Sequence, residues 1–459
     1  MARVSLFTLG CRLNQFESDS IAGQLEDRGH EVVRFGEACD VAVVNSCTVT
    51  ARADRKSRQA VYRALDNAKT VIVTGCYADN PERLLPEDPR ITPVSNTKKA
   101  AIPYLVGEVA PGTGDGGSGA GVAPGAATSE AETPAAGANS LWFPPPVAGV
   151  RSRGMVKVQD GCDQVCAYCI VSRVRGPSRS IPLSQVLSQV SELLNGGYRE
   201  IVLTGVNVGD YRDGKNHLAD LVAEILAISG DFRLRITSLE PDHLGPGLVK
   251  QFENPRLCPH LHLALQSGSD SVLHAMKRGY KTSEVRRQVA DLRNIDPLFN
   301  ITADLIVGFP GESQADFEES VALVTAMEMG HVHVFPFSQR PGTAAGSPAF
   351  SRPQLPGPEI RRRSATLRRA AGESALTYRQ RLIGTVEEVI VESRGKDGLS
   401  EGYGRHYCRI RTDEASSTAP GTPVTVRVTG IDRDGVLRGT LVDAPRPKRG
   451  PPAQPQRGG

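Results

Sequence analysis

Between residues 150 and 345, apolar runs of strand length recur six times, at 155–159, 200–205, 233–239, 260–265, 301–308 and 331–337. Amphipathic stretches of helical period separate them at 183–195, 217–229, 269–278, 282–293 and 313–329. Such alternation buries its sheet when the strands run parallel and the helices cross over one face. Six units of this kind predict a partial barrel, a quarter short of the eight-stranded form. An incomplete barrel keeps an open side, which suits a large substrate better than a metabolite.

The flanks read differently. Residues 1–106 alternate strands near 3–9, 40–45 and 70–74 with helices near 15–29, 52–65 and 97–106, which predicts an N-terminal parallel α/β domain. Residues 107–147 follow; within 111–140 there are eight glycines, eight alanines, three prolines and no aromatic residue. That composition has too little apolar area to offset the entropy of ordering backbone, so a mobile linker is expected. Short strands near 382–391, 404–411, 422–429 and 435–442, with glycine-bearing turns, predict a small C-terminal all-β barrel, a class that often handles nucleic acid. The fold class is therefore α/β, with domains at 1–106, 148–374 and 375–443, and a disordered tail at 444–459 rich in Pro and Arg.

No run of the 459 residues reaches membrane-spanning length, and the first residues lack the ordered regions of a secretion signal. A cytoplasmic, membrane-free protein is expected, in a compartment where thiolates serve as metal ligands and not as a disulfide framework. Net charge is only +3, yet residues 361–381 hold seven arginines and one acidic residue. That stripe is either a solvated helix face or a surface that attracts phosphates.

The nine cysteines fall into two incomplete ligand sets and a remainder. Cys162, Cys166 and Cys169 form CxxxCxxC just past the first strand of the 148–374 segment. Three thiolates leave one iron of a cubane [4Fe-4S] cluster free to bind something other than protein. Cys11, Cys47 and Cys76 each close a strand-length run in the N-terminal domain. In a parallel sheet those strand ends share one edge, where ligands of α/β folds are normally held, so a second set of three thiolates is predicted there. Neither set has a fourth cysteine or histidine at a zinc-like interval, which tilts the reading to iron–sulfur clusters. Cys39, Cys258 and Cys408 fit no spacing and read as packing residues, and His262, His331 and His333 as satisfied core or rim histidines.

An open iron suits an amino acid that chelates through amine and carboxylate, which puts a sulfonium on the same molecule beside a reducible centre. Tyr168, inside the loop, is then placed to pack on an adenine, and Gly196 and Gly197 to let backbone approach the ligand amine. Asp304, in the strand ahead of GFPGE, can accept a ligand hydrogen bond.

These residues resemble the radical S-adenosylmethionine superfamily, and the three-part layout resembles its methylthiotransferase branch. The motifs occur in the expected order: GVNVGDY (205–211), LHLALQSGSDSVLHAM (261–276), ADLIVGFPGE (303–312) and FPFSQRPGTAA (335–345). LGCRLNQFES (9–18), NSCTVTARADRKSR (45–58) and TGCYADNP (74–81) are similar to members acting on tRNA that carries N6-threonylcarbamoyladenosine beside the anticodon. One departure is Ser172, where relatives carry proline ahead of Arg175.

The resemblance implies a C-terminal TRAM-like RNA-binding domain and two [4Fe-4S] clusters. Cys162, Cys166 and Cys169 are implied for reductive cleavage of S-adenosylmethionine, and Cys11, Cys47 and Cys76 for the auxiliary cluster and sulfur transfer. Asn207, Gln266 and Asp304 are implied as cofactor-binding residues. The partners implied are a tRNA anticodon arm, an external one-electron donor and a sulfur source. A radical is needed because an aromatic C–H has no acidity for a protein base to exploit. The base leaves its stack to reach the cavity. For the threonylcarbamoyl carboxylate, Arg12, Arg175 and Arg340 are the candidate cations by motif position. Competing readings are the same reaction on isopentenyladenosine tRNA or on a ribosomal-protein aspartate, and a non-catalytic iron–sulfur protein that binds RNA or carries electrons.

Overall fold

The computed structural model describes residues 1–109, 143–144, 151–395, 398–412 and 418–442. In the first unit, strands Arg3–Thr8, Glu31–Val33, Cys39–Ser46, Ala68–Gly75 and Ile91–Pro93 form one parallel sheet, with Arg3–Thr8 lying between Glu31–Val33 and Cys39–Ser46. Both faces are buried, which explains why the central strands read as continuous apolar runs. Alternate residues serve opposite cores. Val41, Val43 and Ile72 pack under helix Arg12–Asp27 with Phe16 and Ile21, while Val44, Val71 and Val73 meet Ala60 and Val61 of helix Ala51–Leu65. Thr50 starts the latter helix by accepting a hydrogen bond from the Ala53 amide.

The second unit has the expected six parallel strands in chain order: Gly154–Lys157, Glu200–Thr204, Arg233–Ile236, His260–Gln266, Asn300–Val307 and His331–Pro336. The third is broken at Thr237 and resumes as Ser238–Leu239, so the ladder splits into two sheets that meet at that residue. Among the described residues the first and last strands do not pair, and the barrel stays open. Val156 and Leu203 face the crossover helices, whereas Met155 and Val202, on the opposite face, join the core of the N-terminal unit. That unit is thereby seated on the inner face of the open barrel.

The third unit is a closed five-stranded barrel of Val386–Arg394, Ser400–Tyr403, Arg409–Thr412, Leu437–Leu441 and Pro423–Ile431, in that spatial order. Ser400–Tyr403 was not expected, because four residues preceded by a glycine-rich turn carry almost no periodic signal. The first strand starts at Val386 and not near 382, because helix Gly357–Arg381 runs on to Leu382 and plugs the barrel with Tyr378 and Leu382. The expected boundary at 374/375 falls inside that continuous helix.

Two described ends of the 107–147 segment depart from a linker. Helix Ile102–Val109 extends into it, and Phe143 is buried against Phe16 with ring centroids 6.4 Å apart. The single aromatic pair of that segment, Trp142 and Phe143, lies just beyond the low-complexity stretch, and Phe143 gains an apolar partner there. The remainder of 107–147 and the tail at 444–459 lie outside the described residues. No described helix is long and apolar enough to cross a membrane.

Candidate active site

Cys47 and Cys76 directly follow adjacent parallel strands, and Cys11 follows the third after two intervening residues, so the three thiols share the carboxyl edge of the N-terminal sheet. Two glycines make that convergence possible. A Cβ at Gly10 (φ +109°) would lie 3.2 Å from the Cys47 Sγ, and one at Gly75 (φ +91°) 2.3 Å from the Ser46 carbonyl oxygen. Cys47 and Cys76 are buried and Cys11 is exposed. Burial, reinforced by the charges of Cys76 and Cys11, pushes the Cys47 thiol up to about 12. Burial also raises Cys76, against the Arg175 guanidinium. Buried thiolates are costly without a cation, and soft sulfur donors fit iron, so this set has the chemistry of a cluster site.

The second triad sits on the loop after Gly154–Lys157. The Cys162 amide donates to the Gly176 carbonyl (3.1 Å), the Ala167 amide to Met276 (2.9 Å) and the Ala345 amide to Ala167 (2.7 Å), which holds the loop on two neighbouring segments. Arg278 Nη1 donates to the Cys166 Sγ (3.2 Å) and the Val171 amide to the Cys169 Sγ (3.4 Å). Burial, with the neighbouring thiols adding, raises Cys162 to about 11 and Cys169 to about 12. Tyr168 is half-buried beside Phe309 and Ala345, and burial raises its phenol. The two triads are neighbours: Cys76 packs on Ile170 and Val174, immediately beyond Cys169.

Asn207 ends up at the same edge, its amide donating to Gln159 Oε1 (2.9 Å) and its own Oδ1 buried without a partner among the described residues. Gln266 closes its strand at φ +64°, a left-handed conformation that costs a non-glycine residue energy and clusters at functional sites. Asp304 meets His262 Nε2 at 3.1 Å, and the ligand atoms of His262, Asp304 and His333 lie within 4.8 Å of one another. His262 is satisfied by Asp304 and by Thr302 at 2.9 Å, as a core histidine should be. Cys39, Cys258 and Cys408 are buried in cores, as read.

Three expectations need correction. Gly196 and Gly197 close helix Leu183–Asn195 before strand Glu200–Thr204 begins, hence at the edge opposite the cysteine loop, and the positive φ of Gly197 (+89°) serves that turn. At the cysteine-loop end of that strand the glycine is Gly205, where a Cβ would lie 3.0 Å from Gln159. Arg175 is buried with its guanidinium bonded to Glu17, Asp160, Asn14 and Cys76, so it has no N–H to offer a substrate. Arg340 is buried with its Nη2 bound to Asp54 (2.7 Å) and Thr48 (2.9 Å), so its charge is met internally, while its Nε has no partner among the described residues. Arg12 is exposed, touches the Tyr407 hydroxyl, and lines a cavity of about 590 Å³ with Arg151, Arg153, Met155 and Glu392. Ser172 lies in the helical turn Val171–Arg175, so the missing proline leaves Arg175 anchored.

Residues that escaped the sequence reading are Arg278, Glu240 and His243. Arg278 binds both Cys166 and Glu240, and His243 lies 3.1 Å from Asp210, whose hydrogen bond raises the imidazole pKa. Arg278 follows the 261–276 motif by two residues, a signal that proximity in sequence alone could have supplied.

Residues 3–94 match the uncharacterized protein family UPF0004 and residues 156–324 the radical SAM superfamily, which brings an iron–sulfur cluster and S-adenosylmethionine as cofactors. The chain is 36% identical to the threonylcarbamoyladenosine tRNA methylthiotransferase MtaB of Thermotoga maritima, over 98% of this chain and all of that one. It is 32% identical to the Chlamydia pneumoniae protein of the same name, over 94% and 96%. The tRNA-2-methylthio-N(6)-dimethylallyladenosine synthase of Geobacter metallireducens is 33% identical over 92% and 94%. In fold, the radical S-adenosylmethionine methyltransferase TsrM of Kitasatospora setae superposes with a TM-score of 0.54 over 75% of each chain, at 15% identity. On the full-length identities, the chain belongs to the radical S-adenosylmethionine methylthiotransferase family, in its MtaB branch.

Proposed function

We propose that this enzyme converts N6-threonylcarbamoyladenosine beside the tRNA anticodon to its 2-methylthio derivative. The observation that carries the reading is the packing of Cys76 on Ile170 and Val174, which brings one strand-end cysteine of the N-terminal unit against the residues that follow Cys169. In this reading Cys162, Cys166 and Cys169 hold the cluster that binds S-adenosylmethionine, and Cys11, Cys47 and Cys76 hold a second. When bound, these groups supply an electron, a carbon-centred radical and the transferable sulfur, with an external reductant and a sulfur source completing the balance. The N-terminal sheet unit, the open barrel and the small C-terminal barrel then divide the work into sulfur delivery, radical generation and RNA binding.

The chain's own residues bind and orient. Asn207 Oδ1, buried and unpaired among the described residues, is a ready acceptor for a cofactor donor, and Gln266 and Asp304 lie on later strands of the same open barrel. Arg12, one residue from Cys11 and exposed, is the cation best placed for the threonylcarbamoyl carboxylate, since Arg175 and Arg340 are buried against internal partners. Arg151 and Arg153 line the same cavity but are paired with Asp19 and Glu392, which leaves Arg12 as the cation there without a carboxylate partner among the described residues.

The test is anaerobic reconstitution with iron and sulfide, followed by tRNA, cofactor and dithionite, with nucleosides read by mass spectrometry. The expected product is the 2-methylthio form of the threonylcarbamoyl nucleoside, and turnover confined to dimethylallyladenosine tRNA would falsify the substrate assignment. Arg12→Ala should weaken the modified tRNA selectively, by about 2 kcal/mol or near 30-fold in KM, and leave binding of tRNA lacking the threonylcarbamoyl group unchanged.

A further inference from the structure

Beneath the N-terminal triad lies a group of charges that the proposed chemistry does not consume. Arg175 Nε donates to the Cys76 Sγ at 3.2 Å, its Nη1 to Asp160 Oδ1 at 2.9 Å and to Glu17 Oε1 at 3.2 Å, and its Nη2 to Asn14 Oδ1. Lys157 Nζ adds contacts to Asp160 (2.7 Å) and Glu17 (3.1 Å), and Lys99 Nζ to Glu17 (2.6 Å) and Asn45 (3.1 Å). Side-chain exposure across the five charged residues is 6% or less. Glu17 and Lys99 come from the N-terminal unit, and Lys157, Asp160 and Arg175 from the open barrel.

Three cations face two carboxylates, leaving one positive charge in a medium where an unbalanced charge is expensive. The neighbouring acceptor of that charge is the Cys76 sulfur, so an anionic, metal-bound sulfur closes the balance. The guanidinium uses every edge: one N–H for the sulfur, the others for groups that lock its plane. We infer that Arg175 is a positioning residue that donates a hydrogen bond to the Cys76 ligand sulfur, raises the reduction potential of the auxiliary cluster, and fixes that cluster against the cofactor-cleaving unit. The physical basis is that a donor and a cation beside a ligating thiolate stabilise the added electron.

This inference rests on the assignment of Cys11, Cys47 and Cys76 to a cluster, and the experiment separates the two. Iron is counted first, in wild type and in Cys162→Ala/Cys166→Ala/Cys169→Ala protein; an absence of cluster in the latter overturns the assignment and the inference together. With the auxiliary cluster present, its midpoint potential is measured by EPR-monitored titration in that background for Arg175→Lys, Arg175→Gln and Arg175→Gln/Glu17→Gln. The double variant restores the net charge of the pocket while leaving the sulfur without its donor. A more negative potential in Arg175→Gln, only partly recovered in the double variant, is expected. Wild-type potentials in all loaded variants overturn the inference while the cluster assignment stands. Selective loss of auxiliary iron in the full-length enzyme, with the Cys162 cluster retained, also supports the role. Loss of both clusters in every variant, Arg175→Lys included, means that Arg175 holds the fold and not the sulfur, and overturns it.

Discussion

At the scale of single residues, the cysteines have separable jobs. Cys166 receives a hydrogen bond from Arg278 on one loop, while Cys47 sits on the other unit behind Gly10. Cys166→Ala should abolish 5′-deoxyadenosine formation, whereas Cys47→Ala should retain it and yield no methylthiolated nucleoside; both products are read by chromatography of one reaction. Phe143 has a different kind of importance. Its ring meets Phe16, Lys157 Nζ lies 5.0 Å from its centroid, and its carbonyl accepts from Gln189 Nε2 at 2.9 Å. It thus pins the end of a low-complexity segment between two units. Phe143→Ala should cost about 3–5 kcal/mol, seen as a lower denaturation midpoint, by the usual cavity and transfer penalty.

Among elements, the turn between Ser400–Tyr403 and Arg409–Thr412 helps tie the small barrel to the large one. Tyr407, at φ +59°, stacks on His260 (4.5 Å) and on Tyr403 (4.8 Å), while Arg235 donates to the carbonyls of Gly404 (3.2 Å) and Arg405 (3.1 Å). His406 bridges Glu387 of the small barrel and Asp296 of the large one, the latter at 3.2 Å. Burial works against its charge, but the hydrogen bonds from its ring to Asp296 and Glu387 outweigh this and raise it from 6.5 to about 9. The contribution is therefore complete below the unfolded value and disappears as pH rises through the folded one. Roughly 3 kcal/mol should be lost between about pH 6.5 and 9, and thermal melts of wild type and His406→Gln should converge at the alkaline end.

For the molecule as a whole, RNA affinity depends on which cations remain after internal pairing. Of the seven arginines in 361–381, Arg362 pairs with Glu359, Arg363 with Glu312 and Glu359, and Arg381 with Glu328. Arg361, Arg368 and Arg369 are exposed. If they meet phosphates, replacing all three by Gln should flatten the slope of log affinity for tRNA against log salt by about 2 to 3, with catalysis at saturating tRNA unchanged. The stripe thus proves to be partly a structural face, buried along Leu367, Ala371, Ala375 and Tyr378, and only partly a free cationic surface. By itself the sequence determined the strand order of the open barrel, the two thiol triads and the family, because period-two and helical patterns, strand-end cysteines and short motifs are written in adjacent residues. Only the tertiary structure decided that Arg175 serves Cys76 across 99 positions, that Arg340 is consumed by Asp54 across 286, and that Phe143 belongs to a core. Those outcomes depend on which distant groups are desolvated together, and a charge or ring chooses its partner only when packing removes the water that served it before.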